Sequence, residues 1–354
     1  AVSIGLLGVS VWMRMKLTES PTFEAMKAEG QASKAPYAEA FGQWGNLKLV
    51  ILAFVSMMCA QGAVWYTSFF YVQTFMEKFL KVDPVTINEL MMIATAVSAI
   101  FYVFFGWLSD KVGRKPVMLG GMTLALLFYF PGFHLLEKAA NPALAEASAK
   151  APVVVVADPK DCSLQFDPVG KTAFVTSCDI VKSTLANAGV SYANEAAPAG
   201  AVAAVRIGSA EITSKSATGL GKAEVKAVKS AVETRIKAAL VEAGYPAKAD
   251  PSRMNKPMIL AVLFVFVIAA TALFGPLAAC LVELFPTRVR YTALSLPYHI
   301  GTGWVGGFVP FFAFAIVAAV GNIYAGLWYP VAFTLLSVLT TAFLLPETKE
   351  RPLN

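Results

Sequence analysis

Charged residues are scarce in this chain of 354 residues. Asp, Glu, Lys and Arg together make up 15% of it, whereas soluble domains carry roughly 25%. Hydrophobic residues reach 57%, and the mean hydropathy is +0.61. The composition therefore argues against a soluble protein and predicts a membrane protein.

Histidine and cysteine are also rare, which argues against a metal centre. The only histidines, His134 and His299, lie far apart, and the four cysteines do not have the spacing of zinc ligands. No nucleophile lies beside a candidate base. We therefore expect no metal, no cofactor and no enzymatic activity. Cys59 and Cys280 lie in apolar runs and are interpreted as packing residues.

The net charge of +6 does not predict a nucleic-acid partner, because many of the cations sit in short segments between apolar runs. The lipid bilayer is the expected partner instead. The chain opens at Ala1 in apolar sequence with no basic region before it, so we do not interpret its start as a signal peptide. Residues 1–13 are too short to span a bilayer, which takes about 20 residues. They are interpreted as the end of a transmembrane helix cut by the start of the chain.

Six longer apolar runs are expected to span the membrane. They are 47–76, 90–108, 116–136, 257–284, 293–320 and 324–345. They divide the chain into 14–47 as a polar loop, 48–136 as three spans, 137–255 as an insert, 256–346 as three more spans and 347–354 as a tail. Lys and Arg set the orientation, because they concentrate in cytoplasmic loops. The segments assigned to the cytoplasm carry Arg14, Lys16, Lys27, Lys34, Lys48, Lys111, Arg114, Lys115, Arg288, Arg290, Lys349 and Arg351, against Lys78 and Lys81 in the short outer loops.

The segment GWLSDKVGRK at 106–115 is a short charged turn between two of these spans. Asp110 and Arg114 are four residues apart, the spacing that puts an acid and a base on one helix face. Gly106 and Gly113 permit close backbone approach and a tight turn. The orientation rule counts only Lys and Arg, so it does not account for an acid on the cytoplasmic side. This pair is therefore interpreted as functional rather than as a topology signal alone.

This segment resembles the G-x-L-x-D-x-x-G-R-K/R loop signature of the major facilitator superfamily. A second pair of segments, ELFPTRVRYT at 283–292 and SLPYHIGTGW at 295–304, resembles the region of helices ten and eleven in the metabolite:proton symporter subfamily. VWYT at 64–67 and ESP at 19–21 fit that subfamily too. The resemblance covers 1–136 and 256–354 but not the insert.

The resemblance implies an all-α membrane protein, the C-terminal six-helix half of a major facilitator fold, with helix six ending at 1–13 and helices seven to twelve following. It also implies a network that holds the cytoplasmic side shut in one state and breaks in the other. Its candidate members are Gly106, Asp110, Gly113, Arg114, Glu283 and Arg288. The alternative is that these charges only fix the topology and cap helix ends.

Candidate substrate-binding residues are polar or aromatic groups inside the apolar runs, where such groups usually face a cavity. They are Trp65, Tyr66, Tyr71, Gln73, Tyr298, His299 and Trp304. An interfacial aromatic belt is the alternative for the first four, and helix packing is the alternative for His299. Glycines are dense between Pro297 and Pro310, which indicates either a substrate-lining helix or close helix packing.

The insert at 137–255 is expected to be a small α+β domain, or a partly ordered segment, outside the membrane. Apolar residues recur at helical spacing in 223–244, and short β-like stretches occupy 152–157 and 202–207. Outside the membrane, Cys162 and Cys178 can form a disulfide, which would close a loop of about 15 residues and contribute roughly 3 kcal/mol.

The predicted function is secondary active transport by alternating access, coupled to protons, in a bacterial inner membrane. The expected partners are a small organic solute, such as an organic acid or a betaine, protons, and an N-terminal six-helix half that precedes this chain. A membrane sensor whose insert binds a ligand, and a uniporter or exporter of the same fold, are the alternatives.

Overall fold

The computed structural model describes residues 2–16, 21–30, 33–167 and 171–351. The ends of the predicted segments 1–13 and 347–354, and parts of the loop 14–47, therefore lie outside the described residues. The first helices are α1 (Val2–Lys16), α2 (Pro21–Ala28) and α3 (Pro36–Gly42). Six helices in the described chain are long and apolar enough to cross a membrane: α4 (Trp44–Lys78), α5 (Pro84–Val112), α6 (Arg114–Ala140), α10 (Lys256–Leu284), α11 (Arg290–Val320) and α12 (Ala325–Phe343).

Helix α5 begins six residues before the predicted span at 90–108, so the predicted outer loop is shorter than expected. Asp83 precedes it in an extended conformation and accepts a hydrogen bond from the backbone nitrogen of Val85 at 2.8 Å. Pro84 then occupies the first helical position, where its missing N–H costs nothing. The cap and the proline together start the helix in polar sequence.

The predicted charged turn at 106–115 is mostly helical. Helix α5 continues to Val112 and α6 starts at Arg114, so Gly113 alone separates the two helices. Its φ of 107° lies in the region that favours glycine. This single residue reverses the chain and brings Asp110 close to Arg114.

The insert contains helices and a four-stranded sheet. Its elements are α7 (Pro142–Lys150), β1 (Val153–Ala157), α8 (Ser177–Asn187), β2 (Ala193–Ala196), β3 (Ala204–Ile207), β4 (Ala210–Thr213) and α9 (Lys222–Glu242). The strand order is β2-β1-β3-β4, with β1 parallel to β2 and the other neighbours antiparallel. Helices α8 and α9 pack on the sheet. The structure has α9, β1 and β3 where the sequence predicted a helix at 223–244 and strands at 152–157 and 202–207.

The helical bundle has two ends. We call the end that holds Gly113, the connection 285–289 and the chain after α12 the signature end. We call the opposite end, where the insert joins α6 to α10, the insert end. The insert is docked there on the end of α11: the Tyr192 N–H donates to the carbonyl of Gly321 at 2.6 Å, and the Asn194 amide donates to the carbonyl of Val320 at 2.8 Å. These bonds satisfy carbonyls that the end of a helix leaves without an intrahelical partner.

Within the bundle, α4 and α11 cross at very close range. A Cβ built on Gly62 would lie 2.1 Å from the carbonyl oxygen of Gly301, and one built on Gly306 would lie 2.3 Å from the Tyr66 ring. Gly303 has nothing within 4 Å of such an atom. The glycines of α11 therefore serve helix packing on one face, as expected of small residues between membrane helices.

Both crossing helices contain π-helical turns. These are 54–58 and 67–71 in α4 and 300–306 in α11. A π-turn disturbs the regular backbone hydrogen bonding of a helix, and inside a membrane each freed carbonyl needs another donor. Two hydroxyls of α12 supply them: Ser337 donates to the carbonyl of Val55 and Thr341 to that of Ser56, each at 2.7 Å.

Candidate functional site

Arg114 is the centre of a charged cluster at the signature end. Its guanidinium binds Asp110 near the end of α5 and donates to the Ser109 hydroxyl at 2.8 Å. From the same guanidinium, Nη2 and Nε donate to the two carboxylate oxygens of Glu283 at 3.1 and 3.4 Å. One side chain of α6 therefore joins α5 to α10.

The two acids of this cluster differ in exposure. The side chains of Arg114 and Glu283 are 11% and 13% exposed, whereas that of Asp110 is 61% exposed. Removing one partner of a buried ion pair typically costs about 3–5 kcal/mol, because the other charge is left uncompensated. An exposed pair contributes only about 0–1 kcal/mol. The buried pair with Glu283 is therefore the stronger link between helices, and the exposed pair with Asp110 is the weaker one.

Glu347, which follows α12, completes the cluster. Its carboxylate accepts hydrogen bonds from the backbone nitrogens of Arg114 at 2.9 Å and Lys115 at 3.1 Å. Those are first-turn amides of α6, and Gly113 has no side chain with which to cap them. A Cβ built on Gly113 would lie 2.5 Å from Oε2 of Glu347. The position needs glycine for its φ and also for the space that the carboxylate fills.

The environment of Glu347 favours its charged form. Burial raises the pKa of this carboxyl group, but hydrogen bonds from the backbone nitrogens of Arg114, Lys349, Lys115 and Thr348 lower it by more, so the net pKa lies below the ordinary value of 4.5. The Thr348 hydroxyl also donates to Glu283 at 2.6 Å. The segment after α12 is thus fixed to α6 and α10.

Two lysines connect the ends of helices at the same place. Lys115 donates from Nζ to the carbonyl of Ala342, and Lys349 donates to that of Lys111, both at 2.8 Å. Carbonyls at a helix C-terminus carry partial negative charge and favour a cation. The signature end therefore binds α5, α6, α10 and the chain after α12 into one polar unit.

Arg288, which was predicted to belong to the network, lies outside this unit in the structure. Its guanidinium donates to both carboxylate oxygens of Glu39 in α3, at 2.8 and 2.6 Å. The pair lowers the pKa of Glu39 and raises that of Arg288. Arg288 can contact Glu39 because it follows α10 in the connection to α11, on the side where α3 packs on α11.

Gly106 contributes to helix packing. A Cβ built on Gly275 of α10 would lie 3.0 Å from the backbone nitrogen of Gly106.

The four substrate candidates of α4 differ in their surroundings. Trp65 and Gln73 have partners on α5: the indole N–H of Trp65 donates to the Tyr102 hydroxyl at 3.0 Å, and the Gln73 amide donates to Asn88 at 3.2 Å. Tyr66 is half-buried against Gly306. Tyr71 is 1% exposed and lies inside the bundle beside Phe133.

The interior of α4 contains buried polar groups without partners. Gln61 Oε1, the Ser68 hydroxyl and the Tyr71 hydroxyl have no hydrogen-bond partner within the described residues. The three residues are at most 3% exposed. Each such group is costly in a bundle interior, so these three are candidates for binding a polar solute. Of the three, only Tyr71 was among the predicted binding residues.

The candidates of α11 lie nearer the surface of the chain. Trp304 is 70% exposed and His299 is exposed, while Tyr298 is half-buried and its ring meets that of His299 edge to face at 5.8 Å. The structure does not bring these three together with the buried polar groups of α4 into one interior site.

Sequence reasoning missed Glu347, Gln61 and Ser68, and also the buried contact of Tyr129 with Thr334, whose hydroxyls lie 3.2 Å apart. For Gln61 and Ser68 the signal was present as polar residues within an apolar run. For Glu347 the only signal was an acid directly after the last span, which has no local partner. The sequence separation between Glu347 and Arg114 is 233 residues, so spacing alone had no means of pairing them.

The predicted cysteine pair is joined. Cys162 and Cys178 form a disulfide that ties the start of α8 to the loop after β1. Cys59 and Cys280 are buried free thiols, as their apolar surroundings predicted. No group of three or more metal-ligating side chains occurs in the part of the chain that the structure describes.

Two family models match this chain. The Major Facilitator Superfamily model matches residues 3–146, and the model described as Sugar (and other) transporter matches residues 232–354. Residues 147–231, which hold the sheet and α8, are matched by neither. No solved structure matches the chain.

Several curated proteins are similar to part of the chain. A protein of Staphylococcus haemolyticus, named as a candidate proline/betaine transporter, is 29% identical over 134 residues, 36% of this chain and 27% of that protein. The ectoine/proline transporter of Corynebacterium glutamicum is 24% identical over 145 residues, 39% of this chain and 28% of that protein. The chain therefore covers less than a third of the length of these relatives.

These observations agree on a class of protein. Among the residues that the structure describes, six helices are long and apolar enough to cross a membrane, so the chain is a multi-pass membrane protein. The matched regions flank the insert on both sides, and the relatives carry transporter names. Two parts of this chain are therefore similar to transporter families, the first to the Major Facilitator Superfamily and the second to the family described as Sugar (and other) transporter.

Proposed function

We propose that this chain is the C-terminal half of a proton-coupled symporter that carries a small organic solute by alternating access. Helices α4, α5, α6, α10, α11 and α12 then correspond to helices seven to twelve of a major facilitator transporter of the metabolite:proton symporter subfamily. An N-terminal half of six helices completes the pathway, and the bilayer is a bacterial inner membrane.

The observation that carries this proposal is the Arg114 cluster. It links four segments of the chain through one guanidinium and two neighbouring carboxylates, Glu283 and Glu347. Asp110, the exposed acid, can leave the cluster at small cost, and the buried pair keeps Arg114 in place. Such an arrangement suits a latch with two states of similar free energy, as rocking of one half against the other requires.

The orientation of the chain follows from charge and redox chemistry. The signature end is proposed to face the cytoplasm, because the segments at that end carry most of the Lys and Arg of the short connections. The insert then lies outside. The Cys162–Cys178 disulfide supports this side, since disulfides persist in oxidising compartments.

The solute is proposed to be small and zwitterionic, such as proline or a betaine. The names of the relatives support this class. The unpartnered oxygens of Gln61, Ser68 and Tyr71 support it as well, because they provide hydrogen-bonding groups without fixed charge inside the bundle. A solute that carries its own balancing charges needs fewer ionised residues at membrane depth.

The test is uptake of labelled L-proline, glycine betaine and a dicarboxylate by cells that express the natural full-length protein. We expect uptake of one zwitterion, and its loss when a protonophore collapses the proton gradient. The variants Asp110→Asn and Glu283→Gln should each lower the uptake rate at least about tenfold, a change of roughly 1.4 kcal/mol in the barrier.

The matched control is Glu350→Gln, which removes one negative charge from an exposed position at the same end of the bundle. It should leave uptake unchanged. Equal uptake per inserted molecule in all three variants would contradict the latch. Uptake that survives the protonophore would favour a uniporter, and absence of uptake by correctly inserted protein would favour the sensor.

A further inference from the structure

A cavity of about 520 Å³ lies between the insert and the membrane helices. Its walls come from the last turns of α4, from α11, from α8 and α9, and from the loop between β1 and α8. The volume falls within the range of small-molecule sites, roughly 300–1,000 Å³. We call it the junction cavity. It is separate from the Arg114 cluster, which lies at the other end of the bundle.

The charges on its walls are balanced. Lys78 and Lys229 contribute two cations, and Asp167 and Glu233 contribute two carboxylates. Glu233 forms an exposed ion pair with Lys237, and Lys78 forms one with Glu77. Lys229 is half-buried and makes no ion pair within the described residues. A cavity with both signs of charge suits a ligand with both signs, and a free ammonium group suits a carboxylate.

The apolar part of the wall is aromatic. Phe174 of the loop and Phe311 and Phe314 of α11 line it, together with Pro310. Phenylalanine faces attract an organic ammonium centre and also bury a small apolar ring or chain. The cavity therefore combines groups for a carboxylate, for an ammonium group and for a compact hydrocarbon body.

Gln165 makes the cavity favour a ligand that carries a hydrogen-bond donor. It lines the wall and is 5% exposed, and its Nε2 donates to the carbonyl of Asp179 at 2.8 Å. Its Oε1 is buried and has no hydrogen-bond partner in the described part of the chain. A buried acceptor without a donor is costly, so a ligand that brings an N–H there gains affinity. A fully methylated ammonium group cannot supply one.

We propose that the junction cavity binds a small amino or imino acid in its zwitterionic form. Lys229 receives the carboxylate, Gln165 accepts an N–H of the ammonium group, and the phenylalanines contact the side chain or ring. The site captures solute outside the membrane core. The solute class rests on the proposed function, whereas the location and the need for an N–H rest on the cavity.

The test is isothermal titration calorimetry of the purified 354-residue chain in detergent. The probes are L-proline, which has two ammonium N–H groups, and N,N-dimethyl-L-proline, which has the same ring and carboxylate but none. We expect proline to bind roughly tenfold more tightly, because only proline satisfies Gln165. The variant Gln165→Leu should bring the two affinities close together.

The position of binding is tested with lysine variants of one helix. Lys229→Gln should weaken proline binding roughly tenfold, whereas Lys226→Gln, the same change at an exposed position of α9, should leave it unchanged. No binding of proline, equal affinity for both probes, or equal effects of the two lysine variants would each overturn the proposal.

The outcome is independent of the uptake experiment. Proton-dependent uptake of proline without binding at the junction cavity would refute this site and leave the transporter intact. Binding that depends on Lys229 without uptake of any solute would refute the proposed transport and leave the site intact.

Discussion

Gly113 shows how a single residue can set the geometry of a whole charged cluster. It lies at φ 107° between two long helices, and the carboxylate of Glu347 fills the space where a side chain would stand. The missing cap of α6 is thereby supplied from the far end of the chain. Asp110, Arg114 and Glu283 meet only because the reversal at this residue is so tight.

The prediction at this scale is that Gly113→Ala destabilises the protein. The positive φ alone should cost roughly 1–3 kcal/mol, and displacement of Glu347 adds to that cost. The measurement is thermal unfolding of the purified chain in detergent. The control is Gly120→Ala in α6, where a Cβ meets nothing within 4 Å and the higher helix propensity of alanine should be neutral or slightly stabilising. A lower unfolding temperature for Gly120→Ala than for Gly113→Ala would contradict the strain argument.

Contacts between residues that are close in the sequence could largely be predicted from the sequence. Asp110 and Arg114 are only four residues apart and the structure pairs them, but across the reversal at Gly113 rather than on one helix face. Arg288 had no such local partner, and its pairing with Glu39 depends on where α3 packs. Glu347 had no local partner either. Spacing relates residues that are close together in the sequence, so it does not predict partners that other helices contribute.

At the scale of elements, the π-helical turns of α4 depend on α12. The carbonyls of Val55 and Ser56 accept hydrogen bonds from Ser337 and Thr341, which lie four residues apart on one face of α12. Apolar length predicts that both helices exist. It does not predict the π-turns, because their freed carbonyls are stable only when another helix brings donors to them.

We expect Ser337→Ala and Thr341→Val to destabilise the bundle by about 0.6 kcal/mol each, and by up to roughly 1.7 kcal/mol, the range measured for hydrogen bonds between membrane helices. Thermal unfolding in detergent measures the effect. Thr340→Val is the matched control, because within the described residues the hydroxyl of this half-buried threonine bonds to carbonyls of its own helix. A loss of stability in the control as large as in the other two variants would refute the role of the α12 hydroxyls.

At the scale of the whole molecule, the insert is a docked domain. Gly189 and Gly321 lie in its contacts with the bundle. A Cβ on Gly189 would lie 2.3 Å from the carbonyl oxygen of Phe79, and one on Gly321 would lie 2.2 Å from that of Tyr192. Lys81 bonds across the same boundary to the carbonyl of Asn187 at 2.6 Å. Burial lowers the pKa of Lys81 to about 8, and the nearby Lys237 and Lys78 add to this effect.

Alanine at either of these glycines should loosen the docking. Hydrogen exchange in 79–81 and 189–194 should accelerate in Gly189→Ala and Gly321→Ala, because the clash is with backbone that cannot move aside. Gly200→Ala is the control: its φ of 77° carries similar strain, but nothing lies within 4 Å of the added Cβ. Equal acceleration in all three variants would show that strain inside the insert, rather than docking, is responsible.

By itself, the sequence determined the membrane helices and the place of the insert, because run length and composition are properties of neighbouring residues. Only the tertiary structure decided that Glu347 caps α6, that Arg288 pairs with Glu39, and that the insert and the bundle enclose a cavity lined by Lys229 and Gln165. Each of these joins residues far apart in the chain. Their meeting depends on how helices and sheet pack against each other, which no single stretch of sequence specifies.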